Sequence, residues 1–170
     1  MSDLPAPNLT VNAMFAERDA RRRREREAEE LMRRKQQEEA AQFKSRLDNF
    51  QLTPESINLV MEKIRRAFDR GDTELMIASF PSEFCTDAGR SIVNAGQPPI
   101  VKPHPAEPKP EIPPWIDTLP KGVRVVYDYW KQHMEPGGFK FSARIVNFPG
   151  GKPGDVGLFL SWPKDSAGTH

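Results

Sequence analysis

Between residues 17 and 46 the chain carries 11 Lys or Arg and 8 Asp or Glu, and not one Gly or Pro. A stretch this polar cannot enter a core, because every buried charge would need a partner and full hydrogen bonding. Nothing in it breaks a helix either. It is therefore predicted as a solvated helix, about 45 Å long over thirty residues. Opposite charges recur four apart, acid first in Glu17–Arg21, Asp19–Arg23, Glu29–Arg33 and Glu30–Arg34. The order is reversed in Arg21–Glu25, Arg23–Glu27, Arg26–Glu30 and Arg34–Glu38. Each such pair adds about 0.2–0.5 kcal/mol to a helix, so a ladder helps where a lone pair would not.

A coiled coil needs apolar residues at the seam through three or four heptads. Here Ala28, Leu31 and Met32 are followed by Arg33-Arg34-Lys35-Gln36-Gln37-Glu38-Glu39, which interrupts the seam. Ala40, Ala41, Phe43, Leu47 and Phe50 resume an apolar face. The first expectation is a charge-stabilised helix whose last turns dock on the following domain. A helical partner, with self-association as one form of it, comes second. A nucleic-acid arm built on Arg21, Arg22, Arg23 and Arg24 comes third. Residues 18–35 carry nine positive and five negative charges, which could meet phosphates. The interleaved acids would face the same phosphates, and no aromatic residue stands there for stacking. The whole chain has 25 basic and 24 acidic residues, for a net charge of +1, so it lacks a basic footprint overall.

The 170 residues suit one ordinary domain with appendages. The zones read as a disordered leader at 1–11, the charged helix at 12–50, an α+β domain at 51–162 and a disordered polar tail at 163–170. Thr53-Pro54-Glu55 gives a helix N-cap, a proline at the first helical position and an acid in the first turn. Ile57, Val60, Met61, Ile64, Ala67 and Phe68 then form one helical stripe, and Gly71 is placed to cap its end. Residues 73–80 read as a strand, and 81–94 as a helix carrying Phe84, Ala88 and Ile92. Val123, Val126, Tyr127, Trp130 and Met134 fall at helical spacing before Gly137-Gly138. Phe139, Phe141, Ala143 and Ile145 alternate with polar residues, which predicts a half-buried strand, and residues 156–162 a second one paired to it. The expected fold is α+β: a small three-stranded sheet with helices packed on one side, preceded by the long charged helix. Nine of the 17 prolines lie between residues 97 and 120. They mark a proline-rich insert at 97–114 with two P-x-x-P motifs, expected to favour extended polyproline II.

Several chemistries are weakened on spacing. Cys85 and Arg90 are separated by four residues, one fewer than the loop of a cysteine phosphatase, and Asp87 would carry a negative charge into a phosphate pocket. Cys85 is expected as a small buried thiol on a helix, with a reactive thiol beside Asp87 and Arg90 as the weaker reading. Residues 149–155, PGGKPGD, miss the phosphate-loop pattern: Val146 stands where the first glycine belongs, and Pro153 follows Lys152. His104, His133 and His170 are not spaced for a shared metal site with Cys85. No cofactor is implied. No apolar run approaches a membrane span, and a single cysteine excludes an internal disulfide, so a cytoplasmic protein is expected. The functional expectation is a non-enzymatic protein-interaction or adaptor domain with a projecting charged helix. A nucleic-acid binder using Arg21–Arg24 and an enzyme centred on Cys85, Arg90 and the loop at 150–155 are the alternatives.

Overall fold

The computed structural model of the chain describes residues 3–95 and 112–165. Most of the proline-rich insert, with its P-x-x-P motifs and His104, lies outside the described residues, as do the end of the tail and His170. Contacts divide the chain into two units, Met1–Phe43 and Lys44–His170.

Helix α1 runs over Val11–Asp48. Its start is set by Thr10, whose hydroxyl accepts the Ala13 N–H at 3.1 Å. Helix α2, Pro54–Asp69, begins as expected: Thr53 Oγ1 accepts the Ser56 N–H at 3.2 Å, and Ser56 Oγ accepts the Thr53 N–H at 2.9 Å. This is a capping box with serine in the place of the usual Glu or Gln. Gly71, at φ +88°, ends it in a left-handed turn: the Asp72 N–H reaches the Ala67 carbonyl and the Gly71 N–H that of Phe68.

Strand β1, Glu74–Pro81, leads to a tight turn at Ser82–Phe84 and a short helix α3, Arg90–Ala95. The continuous helix expected over 81–94 is broken at residues 85–89. Ala88 and Gly89 both have positive φ, 57° and 82°. Asp87 drives the break: its carboxylate accepts the N–H groups of Gly89 and Ser91 and the Ser91 hydroxyl, bonds that a continuous helix would deny it. A buried turn follows at Pro114–Thr118, then α4, Lys121–Tyr129, continued by a wider turn to Met134 and stopped at Gly138, φ +97°. Strands β2, Lys140–Ile145, and β3, Asp155–Ser161, form the expected antiparallel hairpin.

The sheet order is β1–β3–β2, antiparallel throughout. One face of β3 presents Val156, Leu158 and Leu160, opposite Phe141, Ala143 and Ile145 of β2 and Phe80, Ala78 and Leu75 of β1. A bulge at Ile77 lets two successive residues of β1, Ile77 and Ala78, serve this face. α2 and α4 cover it, with Ile64, Met134 and Leu160 buried together. On the other face Phe159 is only 5% exposed. The Arg144 guanidinium lies 3.6 Å from its ring centroid and reaches over β3 to form a two-pronged ion pair with Glu74 of β1. The architecture is α+β, with the helices on one side of a three-stranded sheet. Phe68, expected in the core stripe, is 59% exposed; Ala67, fully buried one residue earlier, takes the inward position.

Candidate interaction surface

No residue of α1 is buried. Its exposed large apolar side chains fall in two groups, Val11, Met14 and Phe15 near the start and Leu31 and Met32 in the middle. The charged ladder is mostly open. Its ion pairs among the described residues are Arg33–Glu30 at 2.6 Å, Arg34–Glu30 at 3.4 Å and Arg18–Asp19 at 3.4 Å. Long exposed side chains lose rotamer freedom when they pair in water, which cancels most of the gain. The Arg33 hydrogen bond holds the Glu30 carboxyl below its usual range.

Arg21, Arg22, Arg23 and Arg24 are all exposed. Four successive helical residues sweep about 300° around the axis, so the four guanidiniums do not form one face. Residues 17–26 carry six cations and three anions, whereas 27–39 carry three cations and five anions. The helix is thus polarised along its length rather than basic along one side.

Cys85, Asp87 and Arg90 come close in the chain but do not assemble into a reactive centre. Cys85 is 4% exposed and sits after the Ser82–Phe84 turn rather than on a helix. Burial pushes its thiol up to about 11, opposed by a hydrogen bond with Thr118, with the Asp87 charge pushing the same way as burial. Asp87 has its oxygens committed to Gly89 and Ser91. Burial raises its carboxyl, but the Ser91 hydroxyl and the two N–H donors outweigh that and leave it low. Arg90 is exposed. A neutral thiol, an anion used as a cap and a solvated arginine offer neither a thiolate nor a cradle for phosphate.

The loop expected at 150–155 is closed by Asn147, which accepts the Asp155 N–H and donates to its carboxylate. The Ser82 N–H and hydroxyl reach the carbonyls of Gly154 and Pro153. These bonds tie the hairpin to the turn before Cys85, and the N–H groups of Gly151, Lys152 and Gly154 are taken by the carbonyls of Phe148, Pro149 and Asn147. Among the described residues no cluster of three or more His, Cys, Asp or Glu could hold a metal ion.

A feature that periodicity did not reveal is an apolar cavity of about 180 Å³ in the second unit, lined by Leu47, Phe50, Val60, Ile77, Val126 and Trp130 among others, none of them charged. Ser56, one of its few polar neighbours, donates its hydroxyl to the Thr53 carbonyl. Such a space can hold apolar groups but offers no acid, base or nucleophile. The early apolar group on α1 was also missed; Thr10 as N-cap was the available signal for it. No family model, curated protein or solved structure matches the chain.

Proposed function

We propose that the chain is a non-enzymatic protein-interaction module that engages its partner through α1. The observation that carries this reading is a 38-residue helix with no buried residue, on which Met14, Phe15, Leu31 and Met32 are 45–69% exposed. Most helical stability in proteins comes from packing a face against a neighbour, and exposed apolar groups on this helix gain from being covered. Charges of both signs stand along it, cations in excess at 17–26 and anions at 27–39, which suits a surface that selects its partner by electrostatic complementarity. An extended phosphate backbone would be repelled by the same acids. The apolar unpaired groups supply contact area, and the charges supply register and partner choice.

The test compares affinity capture by the full chain and by a chain lacking residues 1–43. The expected result is a protein retained only by the full chain. Equal retention by both forms, or retention lost only when the second unit is altered, overturns the assignment of α1 as the binding element.

A further inference from the structure

We propose that the partner of α1 is a second copy of the chain, paired antiparallel about Glu30. This rests on the reading that α1 is a protein-binding helix and names its partner. The seam positions at alternating three- and four-residue steps are Arg18, Arg21, Glu25, Ala28, Met32, Lys35, Glu39 and Gln42. Glu30 stands within one residue of the middle of α1, Val11–Asp48, so pairing about it overlaps the two helices almost completely. Each seam residue then meets the one equally far from Glu30 on the other side.

Ala28 packs on Met32 of the second copy, Glu25 meets its Lys35, Arg21 its Glu39 and Arg18 its Gln42. Symmetry repeats every contact, as an isologous interface requires. On one flank Arg24 reaches Glu38 of the second copy, and the two Leu31 side chains meet at the dyad. On the other flank Glu29 meets its own copy, one helical turn from Arg33. The interruption at residues 33–39 is in this arrangement the counterpart of the basic run at 21–24. Among the described residues, Arg21, Arg24, Glu25, Lys35, Glu38 and Glu39 take part in none of the ion pairs of α1. Leu31 and Met32 are 69% and 59% exposed, so the centre of the seam is open to a partner.

Two alternative arrangements set more like charges together in the seam itself. A parallel pair in register sets Arg18, Arg21, Glu25, Lys35 and Glu39 each against itself. Sliding the antiparallel pair by one heptad sets Arg18 against Lys35 in one direction and Arg21 against Arg46 in the other. Polar seam residues cost affinity and give register, so the pair is a weak, specific dimer.

The test is sedimentation equilibrium of the full chain over a micromolar-to-submillimolar series, with circular dichroism to confirm that helix content is kept. The expected result is a monomer–dimer equilibrium that Arg21→Glu or Glu39→Arg alone weakens about tenfold, since each reversal acts twice in the dimer. The double variant Arg21→Glu/Glu39→Arg recovers the dimer. A monomer at every concentration, single reversals without effect, or a double variant no better than the singles overturns the proposal. If the chain is monomeric and residues 1–43 still retain a different protein, self-pairing falls while α1 remains the binding element.

Discussion

Among the described glycines, Gly122 has the least room for a side chain. A Cβ built there would come 1.7 Å from the Leu47 carbonyl oxygen and 2.8 Å from the Phe50 Cβ. Neither is a flexible end that can step aside. Asp48 fixes the same contact by accepting the Lys121 N–H at 3.3 Å. Gly122→Ala should therefore lower stability by about 1–3 kcal/mol, read as a lower urea midpoint. Cys85 gives a second residue-level expectation. Its thiol holds its proton to about 11 in the fold against an ordinary 9.0. The unfolded chain binds fewer protons between those values, so stability falls as pH rises through that window. Native protein at neutral pH should react slowly with a thiol reagent and quickly in denaturant; fast native labelling would show an accessible thiolate. Asp87 acts in the opposite direction. Its carboxyl is held low in the fold, so its contribution is present above the ordinary carboxylate range and is lost as pH falls through the depressed value. Asp87→Asn should flatten the acid side of the urea-midpoint profile.

At the scale of elements, the last turn of α1 belongs with the second unit while the rest of the helix does not. Leu47 and Phe50 line the apolar cavity, and Asp48 caps α4. A chain lacking residues 1–43 should unfold cooperatively by calorimetry. Removing residues 44–50 as well opens the cavity wall and removes the cap, and should lower Tm by several degrees. Equal melting of the two truncations would show that this turn contributes nothing. The Glu74–Arg144 pair works across three strands, holding the guanidinium over Phe159. The hydrogen bond from Arg144 is the main cause of the low Glu74 carboxyl.

For the whole molecule, the question is which kind of macromolecule α1 meets. A titration of the full chain with mixed-sequence DNA and RNA at about 50 and 200 mM salt covers the range where phosphate binding changes steeply. No micromolar binding is expected at either salt. Binding that collapses at the higher salt and vanishes without residues 1–43 would replace the protein partner with a nucleic acid. No helix among the described residues is long and apolar enough to cross a membrane.

The sequence by itself determined the elements whose energetics are local. Charge density without Gly or Pro specified α1, Thr53-Pro54 specified the start of α2, Gly71 its end, and strict alternation the strand β2. Each depends on neighbours within about four residues, so each is legible one window at a time. It also carried the charge pattern on which the interaction surface rests. The tertiary structure decided what depends on distant partners. The turn at Pro114–Thr118 buries Trp115 and Ile116 directly after the proline-rich insert read at 97–114. The centroid of the Trp115 ring comes 6.1 Å from that of Phe141 in β2. Ala67 rather than Phe68 faces inward, Ile77 bulges to serve the core, and Cys85 is buried beside Thr118. Burial is a property of two segments brought together, and the free energy that closes Cys85 off resides in contacts more than thirty residues away in the chain.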